Sequence, residues 1–236
     1  MAESEKPLNR VRKLSKSKKM NKPQIAKHHS LKAALAATMK SVKIEISQDE
    51  LDNLKGNDYM LCFAKKVGDN AYNVVWQAYD KYLSNNTFSW TPQYQLFGTN
   101  TFQSNIQVVA QTNTVTIGLG ETSTLNSAGN LSNPVSGGPS TSITMINDYG
   151  NIHPGVNQLS TGIDGSVTST PIYVAQQASI TGTTSLTPVE KVLVWFQQNI
   201  ETSTMISEVI GTPVEIDLTL ADSATRLYSN GQWTTV

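Results

Sequence analysis

Several stretches of this 236-residue chain set an apolar side chain at every second position. "NTVTIGLG" does so with Val115, Ile117 and Leu119, against Thr114 and Thr116. "STSITMI" repeats the spacing with Ile143 and Met145, and "PVEIDLTL" with Val214, Ile216, Leu218 and Leu220. "YNVVWQAY" sets Tyr72, Val74, Trp76 and Ala78 against Asn73, Val75, Gln77 and Tyr79. A period of two puts neighbouring side chains on opposite faces of an extended backbone, so each stretch reads as a strand with one face turned inward. The spacing dominates from Tyr59 to the C-terminus.

Two further segments extend the pattern. "TSTPIYVAQQASITG" supplies one or two strands, and "RLYSNGQWTT" holds an Asn230-Gly231 pair between two short runs, a strong hairpin signal. "PVEKVLVWFQQNI" fits both periods: Val192, Val194 and Phe196 alternate, while Val189, Val192, Leu193, Phe196 and Ile200 follow helical spacing. Its β-branched and aromatic content favours a strand. Clusters of Gly, Ser, Asn and Pro separate the runs as turns and loops. Nine to eleven strands result, with no space for a helix after each, so a parallel α/β fold is excluded. The expected class is all-β: an antiparallel β-sandwich or a Greek-key or jelly-roll-like barrel over residues 57–236. Charged residues make up only 15% of the chain, against about 25% in ordinary globular proteins. Uncharged polar residues take their place, as suits the wet faces of strands.

The first forty or so residues differ. Residues 1–43 carry 12 of the 18 Lys and Arg, with Glu3 and Glu5 as their only acids. The remaining 193 residues are therefore acidic. Residues 1–22 are rich in charge and poor in apolar groups, and read as a disordered basic arm. Its cluster, including Arg10, Arg12, Lys13, Lys16, Lys18 and Lys19, suits phosphate on nucleic acid, an anionic lipid surface, or the acidic body of a neighbouring copy. No aromatic residue interleaves it, so base stacking is unsupported.

A helical lead-in is expected over residues 23–56. "PQIAKHHSLKAALAATMK" opens on Pro23 and sets Leu31, Leu35 and Met39 in an i, i+4 row, a basic amphipathic helix able to meet a membrane, a groove or its own body. His28 and His29 project about 100° apart on a helix, which makes a poor metal pair. "SQDELDNLKG" reads as a second helix, with Ser47 and Glu50 as a capping box and Gly56 at the left-handed C-terminal position.

Residues 85–102, "NNTFSWTPQYQLFGTNTF", gather Phe88, Trp90, Tyr94, Phe97 and Phe102. Alternating polar residues and a breaking Pro92 describe a bent, half-buried strand packed in a core or corner. The competing expectation makes Phe88, Trp90, Tyr94 and Phe97 an exposed platform for carbohydrate or lipid headgroups.

Catalytic signals are thin. The single cysteine, Cys62, excludes an intrachain disulfide and reads as a small core residue. "GLGETS" lacks the third glycine of a dinucleotide loop, and no H-E-x-x-H, G-x-S-x-G or C-x-x-C occurs. His153 with Asp148 could join a triad, and Asp148 or Asp164 a calcium loop, but carboxylates are sparse. No catalytic residue, metal ligand or cofactor is assigned. No run reaches the ~18 apolar residues of a membrane span, and no apolar stretch follows the N-terminal charge, so synthesis in the cytoplasm without a secretory signal is expected, release by another route staying open.

Three readings follow. The first is a non-catalytic binding or self-assembly protein whose main partner is a copy of itself. The second is a membrane-active, pore-forming protein using the amphipathic helix or the alternating segments 112–147 and 166–186. The third is a capsid-like subunit packaging nucleic acid. In layout, helix plus sandwich resembles pore-forming sandwich toxins, and arm plus β-domain resembles small icosahedral coat proteins; no residue motif carries either likeness.

Overall fold

The structure, a computed structural model, describes residues 39–236. The basic cluster, Leu31, Leu35 and the paired histidines lie outside the described residues. Within them the chain forms three sheets and one short helix. A seven-stranded sheet runs in the order β10 (Val167–Val174), β9 (His153–Thr161), β4 (Asn85–Thr99), β1 (Lys40–Ile46), β14 (Ser223–Ser229) and β15 (Gln232–Thr235), with β5 (Val115–Ile117) on β4. A four-stranded sheet runs β13 (Val214–Asp217), β12 (Pro188–Gln197), β2 (Met60–Val67) and β3 (Gln77–Tyr79). The third runs β11 (Gly182–Leu186), β8 (Ile143–Asn147), β6 (Glu121–Leu125) and β7 (Val135–Ser136). The fold is an all-β sandwich.

The main core lies between the first two sheets. Val42, Ile44, Phe88 and Trp90 from one meet Phe63, Val192, Val194 and Ile216 from the other, all buried. Phe63 and Phe88 stack at 4.4 Å across the layers, and Trp76 meets Phe88 edge-on at 4.9 Å. Fully burying one such ring contributes roughly 1.5–3 kcal/mol. Leu125, Ile143, Met145 and Leu186 bring the third sheet into the same core.

Strand β12 explains its double reading. Val192, Val194 and Phe196 face the main core, while Leu193 and Trp195 join a second cluster with Cys62, Val75 and Ile200. A strand buried on both faces reads as continuous apolar sequence and satisfies either period.

Several expectations need correction. The sandwich begins at Lys40 and not at residue 57. "SVKIEI" alternates Val42, Ile44 and Ile46 inward, and β1 lies between β4 and β14 inside the largest sheet. The lead-in is therefore not helical throughout, and Met39 precedes a strand. Pairing is not wholly antiparallel: β1 with β14, and β6 with β8, run parallel. The described residues form fifteen strands, several of only two to four residues. Residues 71–76 are not a strand. Asn73 to Gln77 are all buried, with Val74, Val75 and Trp76 in three different clusters. Leu119 and Leu220 are exposed because β5 and β13 end before reaching them.

Helix α1 (Gln48–Gly56) buries Leu51 and Leu54. Its capping box is not made: the Ser47 side chain caps nothing, and Glu50 Oε1 instead accepts from the Gly231 backbone N–H at 2.6 Å. The left-handed residue after it is Asp58, φ 55°, and not Gly56. The Asn230-Gly231 hairpin forms as read, with φ 52° and 72°.

Candidate functional site

The aromatic stretch is β4, one 15-residue strand. Phe88, Trp90, Tyr94 and Phe97 are all no more than 2% exposed, so the surface platform does not exist. Beside Pro92 the register with β9 shifts: Trp90 opposes Ser160, and Tyr94 opposes Gln158. This bulge bends the strand while keeping Trp90, Tyr94 and Leu96 in the main core. Phe97 turns to the other face, beside Val74, Val174 and Met205. Of the residues proposed as contacts in the arm and the first lead-in helix, only Met39 is described; it is 48% exposed at the start of the sandwich.

Trp90 ends in a polar contact. Its indole N–H donates to Glu190 Oε2 at 2.8 Å, and the same oxygen accepts from Lys65 Nζ at 2.8 Å. The ammonium also lies 4.6 Å from the centre of the Trp90 ring. Burial lowers the Lys65 pKa to about 8, partly offset by Glu190 and assisted by Lys40. A fully buried lysine side chain with one carboxylate partner is an internal brace, since Lys65 has no path to solvent.

The other groups considered for chemistry are used structurally. Burial pushes the Cys62 thiol up, out of the thiolate range. His153 Nδ1 lies 2.7 Å from the Ala175 carbonyl oxygen, and among the described residues no carboxylate or hydroxyl bonds its ring. Asp164 Oδ1 accepts from the Ser166 N–H at 3.0 Å and its hydroxyl at 2.6 Å, closing the β9–β10 turn and holding the carboxyl below its usual range. Among the described residues no three His, Cys, Asp or Glu converge as a metal site, and no helix is long and apolar enough to cross a membrane.

A cavity of about 660 Å³ opens where α1 leads into β2. Four side-chain amides line it, those of Asn105, Gln107, Gln197 and Asn199. Asp58, Glu201 and Thr204 add oxygens, and Met60 and Ile200 an apolar floor. A second cavity of about 420 Å³ shares Asp58 and Met60 and continues past Tyr59 to Asp80, Lys81 and Leu83.

Three separate loops build the larger cavity, and backbone bonds fix them together. Asn105 N donates to Met205 O at 2.8 Å, Met205 N to Ile106 O at 2.9 Å, and Val108 N to Ser203 O at 2.8 Å. Gln198 Nε2 reaches Asn57 O, and Gln107 Nε2 reaches Glu201 Oε2, each at 2.5 Å. Of five non-glycine residues with positive φ among the described residues, Asp58, Asn105, Asn199 and Ser203 stand here; the fifth, Asn230, belongs to the terminal hairpin. Such positions hold side chains at angles that regular structure does not offer. Sequence reading missed this site because its residues are common loop amides spread from 58 to 204. The one visible signal was Asn and Asp inside turn segments.

Comparison with protein-family models, curated proteins and solved structures gives no match for this chain.

Proposed function

We propose that this chain is a non-catalytic assembly subunit, a β-sandwich that associates with copies of itself through the basic segment ahead of β1. The division of charge carries this reading: 12 of 18 cationic residues precede residue 44, and 16 of 18 acids follow it. In the described body only Glu45, Glu190, Glu215, Asp217 and Asp222 form ion pairs. Asp49, Asp58, Asp69, Asp80 and Glu208 form none there, leaving an acidic surface for a cationic segment. Arg10, Arg12, Lys13, Lys16, Lys18 and Lys19 are its proposed contacts, and Leu31, Leu35 and Met39 an apolar addition.

The same feature supports a second reading, a shell subunit whose basic segment holds nucleic acid. The segment enters the fold at β1, an interior strand, so a load on it passes directly into the core. A pore-forming role has less support, because the strands within 112–147 are at most five residues long and those within 166–186 are eight and five, against the ~9–11 a membrane strand needs.

Light scattering of the full chain at about 0.1 M and about 1 M salt tests the proposal, since the Debye length falls from ~10 to ~3 Å between them. Oligomers that dissociate at high salt, and are lost when the six named cations become Gln, support subunit contact. Ultraviolet absorbance showing bound nucleic acid moves the partner to phosphate. A monomer free of nucleic acid at both salts sinks both readings. Dye release from anionic vesicles would revive the membrane reading.

A further inference from the structure

We propose that the trough formed by the two adjoining cavities at the α1 end of the sandwich binds a neutral oligosaccharide. The site uses no residue of the basic segment, but it shares Asp58 and Asp80 with the acidic surface proposed to receive that segment. The volume of about 660 Å³ falls within the range of ligand sites, and the shared Asp58 and Met60 extend it into the second cavity. Two cavities that share Asp58 and Met60 offer room for more than one linked unit.

The lining selects the chemistry. Asn105 and Asn199 each carry an amide with a donor and an acceptor on one planar group, while Gln107 Nε2 already donates to Glu201 and Gln197 Oε1 already accepts from Trp195, leaving each of these a second N–H or lone pair. A sugar hydroxyl is likewise both donor and acceptor, so the two match repeatedly along a chain. A lysine ammonium offers donors alone, so a lysine-rich peptide would match the amide N–H groups only through its backbone carbonyls. In the larger cavity an anionic ligand meets Asp58 and Glu201 with no lysine or arginine, while in the second cavity Lys55 and Lys81 are set against Asp58 and Asp80. Met60 and Ile200 give the floor an apolar strip for the C–H face of a sugar ring. Much of the ordering cost is met in advance, because the cross-loop bonds already fix the walls. The apolar rings expected to bind sugar lie in the core; the amides between distant loops take over that role.

The test is saturation-transfer NMR on the full chain with three soluble probes: a glucose tetrasaccharide, an N-acetylglucosamine tetrasaccharide and a sialylated tetrasaccharide. At least one neutral probe should receive saturation, and the sialylated probe should receive less. Gln107→Ala and Glu201→Ala alter exposed side chains, so the melting temperature should hold while affinity falls about tenfold, the loss of roughly one to two hydrogen bonds. No transfer to either neutral probe overturns the proposal, as does transfer that both variants leave intact. Preferential binding of a synthetic peptide of residues 1–22 in the same trough, followed by shifts of the Met60 and Ile200 methyls, also overturns it and returns the site to subunit contact.

Discussion

Lys65 and Glu190, from adjacent strands, meet at 2.8 Å with the lysine side chain wholly buried and the carboxylate partly open to solvent. Trp90 donates to the same carboxylate oxygen. One glutamate thus satisfies two buried donors from two sheets. Glu190→Gln should therefore destabilise the fold by about 3–5 kcal/mol, the usual result of leaving one ion of a buried pair alone. Lys65→Met, which removes the charge and keeps the bulk, should cost much less. Urea unfolding of both variants checks the contrast.

The same lysine sets a pH dependence. Its pKa falls from 10.5 to about 8 on folding because burial penalises the charge. Between those values the unfolded chain holds more protons than the folded one, so stability rises with pH. Below pH 8 the penalty is fully present. Wild type should thus gain on Lys65→Met by roughly 2 kcal/mol between pH 7 and pH 10, at 1.36 kcal/mol per unit. The comparison is made against the variant because the Tyr79 and Tyr94 phenols, pushed up by burial, oppose the trend above about pH 10. A difference in unfolding free energy that stays flat across this range would refute the assignment.

Gly155 opposes Phe97 across β9 and β4, and a Cβ at Gly155 would overlap the Phe97 ring. Gly155→Ala should destabilise by about 1–3 kcal/mol through overpacking. Phe97→Leu combined with it should recover part of that loss, which a double-mutant cycle in urea measures.

Cys62 is buried between strands, with its thiol held protonated. A colorimetric thiol reagent should label it no faster than the chain unfolds, and should label it at once in denaturant. Rapid labelling of the native protein would show the second cluster to be open.

What the sequence disclosed follows from how local each signal is. Ile143 and Met145, or Asn230 with Gly231, announce their structure within a few residues, because alternation and left-handed turns are short-range effects. Val42, Ile44 and Ile46 alternate just as plainly, yet a helical pattern before them and a capping signal after them masked a seven-residue strand. Asn73 to Gln77 misled for another reason: burial on every side comes from neighbours over a hundred residues away, such as Thr204 and Val174. The bulge at Pro92 was signalled by the proline, while the placing of Tyr94 in the main core and Phe97 on the other face needed β9 and its neighbours. The amide-lined cavity left no pattern, since three loops distant in sequence meet only after folding.

The parallel pairing of Ser41–Ile46 with Ser223–Tyr228 ties the first strand to nearly the last. During synthesis, therefore, β1 waits without one of its two neighbours until almost every residue has left the ribosome, and folding of so distant a pair is slow. The cationic segment emerges earlier still. It is complete before the domain that follows it can close its largest sheet.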